Sequence, residues 1–147
     1  MYKCKHFQIK ELVAPALLKR TTEPVLWSIF DDRLLRAIDA IREKYGPCTV
    51  NAPGLTECGL RDPMTQTGAA FSAHKFGRAC DLHIRSIELA AAQIKDTTAR
   101  KKYKENEYNR VRKELIADPL FTVLNFEQNI SWLHVDTFNR AVRTFNP

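Results

Sequence analysis

The sequence has no apolar run of the roughly 18 residues that a membrane-spanning helix needs. Its first residues, Met1-Tyr2-Lys3-Cys4-Lys5-His6, do not form the apolar segment of a secretory signal peptide. These two absences lead us to expect a protein that is made in the cytoplasm and is not exported by the usual route.

Cysteine is scarce, and none of the four cysteines forms a C-x-x-C pair with another. Cys4, Cys48, Cys58 and Cys80 are scattered, which argues against a zinc knuckle and against a thioredoxin-type redox site. We expect reduced, mostly buried thiols that pack as small apolar side chains.

The composition is that of one globular domain over residues 1–147, with 44% hydrophobic residues and no internal repeat or linker. The net charge of +6 favours anionic partners, among them nucleic acid, phospholipid headgroups and anionic cell-wall polymers. No basic helix with interleaved stacking or base-reading residues is evident, so we expect no specific nucleic-acid partner.

Hydrophobic periodicity predicts an α+β fold with a small antiparallel sheet flanked by helices. The clearest helix has apolar residues at 34, 35, 38 and 41, a cap at Asp31 or Asp32, and a stop at Gly46-Pro47. The other predicted elements are a helix over 10–19 that Pro15 kinks or divides, a strand over 48–50, a long loop over 51–70, a strand over 79–84, helices over 86–95 and 105–116, and an antiparallel hairpin of segments 122–126 and 132–136. Long ordered loops in small domains are usually functional.

Two short segments carry residues suited to bind zinc. In the segment 72–81, His74 is followed by a glycine turn and then by Asp81 on a predicted strand, so the two side chains can converge. A catalytic zinc site needs three protein ligands and an open fourth position, which requires one more, distant ligand. His134 meets this requirement, because alternation along 132–136 puts Leu133 and Val135 on the core face and His134 on the other.

The pattern S-x-H-x-x-G-x-A-x-D followed by W-x-H-x-D resembles the zinc D-Ala-D-Ala carboxypeptidases and phage peptidoglycan endopeptidases, which share their fold with the hedgehog signalling domain. Residues 6–12 resemble the F-x-x-x-E-L opening of these enzymes, and residues 59–61 resemble their substrate-binding G-Y-R segment. The resemblance implies a zinc ion on His74, Asp81 and His134, and hydrolysis of peptide bonds in peptidoglycan stem peptides.

The resemblance also implies that Arg61 grips a substrate carboxylate through a two-pronged guanidinium contact. Ser72 is expected either to donate a hydrogen bond to the substrate or to cap the turn before His74. Many members of the family carry an acid three residues before the second histidine, where this chain has Ser131.

Two carboxylates can take the place of that missing acid. Glu127 lies at the end of the predicted partner strand, seven residues before His134, and phage-type relatives look similar in carrying a glutamate about that far upstream. We therefore expect Glu127 to be the general base and acid. Asp136, two residues after His134, is expected to orient the imidazole through a hydrogen bond.

Three classes of function remain open at this point. The first is a peptidoglycan peptidase, either an endopeptidase or a carboxypeptidase, that reaches the wall as a phage lysis enzyme or with other virion proteins and is held there by anionic polymers. The second is a non-catalytic zinc-binding structural or interaction module of the same fold. The third, a nucleic-acid-binding protein, rests on net charge alone.

Overall fold

A computed structural model describes all residues from Met1 to Pro147. The chain is an α+β protein with six α-helices and one five-stranded sheet. The helices are α1 (Ile9–Leu12), α2 (Pro15–Leu18), α3 (Glu23–Ile29), α4 (Asp32–Tyr45), α5 (Arg85–Ala92) and α6 (Thr97–Ala117). The strands are β1 (Cys48–Thr49), β2 (Ala79–Ile84), β3 (Asn125–Glu127), β4 (Leu133–Asp136) and β5 (Thr144–Phe145). None of the helices is long and apolar enough to span a bilayer.

The sheet has the order β1-β2-β4-β3-β5 and is mixed, which corrects the prediction of an antiparallel sheet. Strands β1, β2, β4 and β3 pair antiparallel, whereas β5 runs parallel to β3. After β4 the chain passes to the far edge of β3, where the Phe126 amide donates to the Arg143 carbonyl at 2.7 Å. A two-residue strand shows no alternation, so the sequence pattern could not reveal β5.

The helices and the hairpin follow the sequence signals with three main differences. Helix α4 is capped by Asp31 and ends at Gly46, and the first predicted helix is divided before Pro15, both as expected. Helix α3 was not predicted, and α6 begins at Thr97 rather than Glu105 because Asp96 caps it through the Ala99 amide at 2.6 Å. The hairpin is present, but β3 starts at Asn125 because residues 119–121 form a 3₁₀ turn.

A single apolar core lies between the helices and one face of the sheet. Leu133 and Val135 are fully buried in it, so the predicted alternation of β4 is confirmed and the opposite face of β4 is free for polar side chains. The central position of β2 and β4 gives the residues on that opposite face rigid backbone support.

The segment between β1 and the 3₁₀ turn at residues 73–76 contains no helix or strand, as predicted for a long loop. It is tied to the end of α1, where the Leu60 amide donates to the Leu12 carbonyl at 2.7 Å. A Cβ on Gly59 would lie 2.0 Å from that carbonyl oxygen, so only glycine allows this approach. The loop is thereby fixed beside the sheet.

Candidate metal centre

The pairing of β2 with β4 brings two of the predicted ligands face to face. Asp81 is the cross-strand partner of His134, and its Oδ1 lies 2.8 Å from His134 Nδ1. Both residues are buried, on the face of the sheet opposite Leu133 and Val135. The two residues are 53 positions apart in the sequence, and the pairing of β2 with β4 brings them together.

His74 reaches the same point from a 3₁₀ turn that spans Ala73–Phe76. Gly77 ends this turn with a positive φ of 64°, and a Cβ there would lie 2.6 Å from the Ile29 carbonyl oxygen. The glycine of the motif is therefore required both by its backbone conformation and by space. It turns the chain directly into β2, which carries Asp81.

The three side chains lie close enough together to share one metal ion. His74 Nε2 lies 3.4 Å from His134 Nδ1 and 3.5 Å from Asp81 Oδ2, and one ligand atom from each residue lies within 4.8 Å of the others. Bonds of about 2.0–2.1 Å to zinc put tetrahedral ligand atoms about 3.3 Å apart. The observed distances are close to that value, so these residues could hold a metal ion.

The remaining nitrogen of each imidazole is held by a hydrogen-bond acceptor. His74 Nδ1 lies 3.0 Å from the Gly59 carbonyl oxygen, and His134 Nε2 lies 3.3 Å from Asp136 Oδ2. Such partners fix the tautomer and leave the other nitrogen, here His74 Nε2 and His134 Nδ1, free to bind a metal. Asp136 thus lies behind the His134 ring, within hydrogen-bonding distance of its Nε2.

The electrostatics of the site favour charged carboxylates. Burial alone would raise the pKa of Asp81, but its hydrogen bonds to His134 and His74 outweigh burial and lower the pKa. Burial would lower the pKa of His134, yet its contacts with Asp136 and Asp81 raise it to about 9. The two acids thus stabilise a positive charge at the His134 ring.

Asp136 is fully buried and surrounded by donors. Besides His134, it accepts hydrogen bonds from Asn125 Nδ2 at 2.8 Å, from the Phe138 amide at 3.0 Å and from Arg140. These bonds outweigh the effect of burial and lower its pKa to about 2. Its oxygens are therefore committed within the protein and are not available to a substrate.

Glu127 faces the same site from the end of β3. Its Oε2 lies 3.8 Å from His134 Nδ1, and the register of β3 with β4, continued by one residue, puts Glu127 opposite His134. Its side chain is 19% exposed, so unlike Asp136 it opens onto the cleft. The hairpin geometry expected from the sequence is the geometry observed.

A cleft of about 510 Å³ opens over these residues. Arg61 lines it, with Nη2 at 3.4 Å from Asp81 Oδ2 and Nε donating to the Glu57 carbonyl at 2.5 Å. Ser72 lines the cleft as well, and its hydroxyl makes no capping hydrogen bond to the following turn. Both residues thus line the cleft that contains the three candidate metal ligands.

Sequence reasoning missed one residue that supports the site. Arg112 of α6 is 2% exposed, and its guanidinium donates to the carbonyls of Ile130 and Trp132 and to Asn109 Oδ1. It thereby clamps the loop that joins Glu127 to His134. Burial lowers its pKa to about 10, so it remains charged at neutral pH. Its helical spacing in a basic segment gave no signal that it was buried.

The remaining histidines and the cysteines do not contribute to the centre. His83 pairs with Glu88 and His6 with Glu43. All four cysteines are free, two buried and two half-buried, as expected for thiols that pack. No family model, curated protein or solved structure matches this chain.

Proposed function

We propose that this protein is a zinc metallopeptidase that hydrolyses peptide bonds of bacterial peptidoglycan. The observation that carries the proposal is the convergence of His74, Asp81 and His134, with oriented imidazoles, beside the partly exposed carboxylate of Glu127 in one open cleft. Three ligands with space for substrate are typical of catalytic zinc sites, whereas structural zinc sites have four protein ligands.

Each residue has a role that its position supports. Zinc, when bound, would activate water and polarise the scissile carbonyl. Glu127 would take a proton from the attacking water and deliver it to the leaving amine. Asp136 would hold the His134 ring, and Arg61 and Ser72 would bind the peptide. Asp136 is a poor alternative base because its oxygens are buried and already hydrogen-bonded.

We further propose that the chain belongs with the zinc D-Ala-D-Ala carboxypeptidases and phage peptidoglycan endopeptidases, in the phage-type branch, and shares their fold. The motif residues have physical roles that support this. In the F-x-x-x-E-L segment, Phe7 and Leu12 are core residues and Glu11 accepts from the Gln8 amide at 2.7 Å. In this proposal the protein is a phage lysis or virion-associated enzyme, made in the cytoplasm and brought to the cell wall by other proteins.

The direct test is digestion of purified peptidoglycan with and without a chelator, with the released ends identified by mass spectrometry. We expect new amino termini, or free D-alanine, that vanish on chelation and return with zinc. Intact peptidoglycan after treatment with the zinc-loaded protein would contradict the proposal.

A second candidate is a non-catalytic zinc-binding module. The observation that favours it is Ser131, which stands where many members of the family carry an acid. In that case the protein would bind zinc through the same three residues, and digestion would release nothing. Binding of the zinc-loaded protein to insoluble peptidoglycan without cleavage would support this candidate over the first.

A further inference from the structure

A second hollow, of about 520 Å³, adjoins the metal cleft and shares two of its wall residues, Phe71 and Phe138. Phe71 and Phe76 are 81% and 47% exposed, and Ile29, which also lines the hollow, is exposed too. Clustered exposed apolar side chains in a soluble domain mark a binding surface. We call this hollow the aromatic groove.

Three guanidinium groups line the two connected hollows, and two of them are already engaged. Arg61 lies 3.4 Å from Asp81 Oδ2, and Arg140 lies 2.9 Å from Asp136 Oδ2. Arg78, in the aromatic groove, has no side-chain hydrogen bond or ion pair, and its guanidinium carbon lies 5.9 Å from the centre of the Phe138 ring. The cation therefore lies in the aromatic groove beside Phe138, a residue that both hollows share.

The only carboxylate of the aromatic groove does not neutralise Arg78. Asp31 accepts from Arg33 Nη2 at 2.6 Å and from the Thr137 hydroxyl at 3.0 Å, and it caps α4. The groove thus contains one guanidinium group, that of Arg78, which has no partner and can donate two parallel hydrogen bonds beside apolar side chains. This combination suits a carboxylate attached to an aliphatic chain.

We propose that the aromatic groove is a substrate subsite in which Arg78 binds a free carboxylate of the peptide while the aliphatic part of that residue packs on Phe76 and Phe138. This proposal rests on the proposed function, because the groove continues the cleft that would hold the scissile bond. The bound peptide would then extend from the metal centre toward Arg78. The carboxylate could be a branch within the peptide or its carboxyl terminus.

Calorimetric titration can test the subsite with the full zinc-loaded chain carrying Glu127→Gln, so that bound peptide is not consumed. The probe is the synthetic stem peptide L-alanyl-γ-D-glutamyl-L-lysyl-D-alanine in three forms: free, amidated at the D-glutamyl α-carboxylate, and amidated at the carboxyl terminus. The same titrations are made with two double variants, in which the Glu127→Gln chain also carries Arg78→Met or, as a control, Lys102→Met. Lys102 is exposed, carries the same charge and has no partner.

We expect one of the two amidations to weaken binding by about tenfold or more, which identifies the source of the carboxylate. Arg78→Met should weaken binding of the free peptide by a similar factor and abolish the effect of that amidation. Lys102→Met should change Kd by less than about twofold. Zinc content and circular dichroism should be unchanged, and Arg78→Lys, which keeps the charge alone, should bind with intermediate affinity.

Two results would overturn the subsite. If Arg78→Met binds the free peptide as tightly as its parent, or still discriminates against the amidated form, the aromatic groove does not bind a carboxylate, although the proposed function survives. If no form of the peptide binds to any variant, the substrate class of the proposed function is wrong and the subsite fails with it.

Discussion

Replacement of Arg112 by methionine removes the clamp on the loop between β3 and β4. The guanidinium is buried, and two of its hydrogen bonds go to the main-chain carbonyls of Ile130 and Trp132. Methionine keeps an unbranched apolar stem but lacks the guanidinium group and its donors. Both carbonyls would then lose a charged partner.

The expected cost follows from these contacts. A hydrogen bond from a charged donor contributes about 1.5–3 kcal/mol, so two of them contribute about 3–6 kcal/mol. Methionine recovers part of this, because a buried guanidinium carries a desolvation penalty that an apolar side chain does not. We therefore expect Arg112→Met to lower the free energy of unfolding by about 2–4 kcal/mol. That loss leaves a domain of ordinary stability folded.

Urea unfolding followed by circular dichroism measures the change, and Arg110→Met is the matched control. Arg110 lies on the same helix, but its side chain is 55% exposed and forms surface ion pairs with Glu107 and Glu114, so its replacement should cost less than about 1 kcal/mol. Hydrogen exchange should also become faster at the amides of residues 128–132 in Arg112→Met alone. Equal destabilisation by the two variants, or unchanged hydrogen exchange in the loop, would show that Arg112 does not hold the loop between β3 and β4.

Three further changes test other parts of the structure. Asp136→Asn should weaken zinc binding by about 10–100-fold, measured by competition with a chelator, and an unchanged affinity would show that Asp136 does not orient His134. Gly59→Ala should lower the thermal midpoint, since its Cβ would lie 2.0 Å from the Leu12 carbonyl oxygen; an unchanged midpoint would contradict the packing. Burial would raise the pKa of Glu88, but its hydrogen bonds, led by the one with His83, outweigh burial and lower the pKa to about 2. The protein should therefore be more stable than Glu88→Gln above about pH 4.5, and this advantage should vanish toward pH 2. Urea unfolding at a series of pH values measures the difference. An advantage that does not depend on pH would contradict this.

The sequence was sufficient to locate the candidate site because its residues obey local rules. Alternation along β4 put His134 on the polar face, and the glycine after His74 predicted the turn that brings it to Asp81. The turn signals at Gly46 and Pro15 likewise gave the limits of α4 and the division between α1 and α2. In each case the residues that determine the local structure lie within one short segment of the sequence.

The features that the sequence did not reveal depend on distant contacts. Strand β5 is defined by its pairing with β3 across a crossover, and its two residues carry no pattern of their own. Arg112 looks like its exposed neighbours on α6, and only the loop that packs on it makes it a buried donor. The free guanidinium of Arg78 was equally invisible, because it depends on what Asp31 already binds.

The proposed mechanism requires that Glu127 transfers the proton at a zinc ion held by His74, Asp81 and His134. The decisive measurement is the rate of peptidoglycan hydrolysis by Glu127→Gln beside its zinc content, with the unchanged protein and Asp136→Asn measured in parallel. We predict one zinc per chain and an intact fold in Glu127→Gln, with hydrolysis abolished. Near-normal hydrolysis by Glu127→Gln, together with its loss in Asp136→Asn, would contradict the assignment and exchange the two roles.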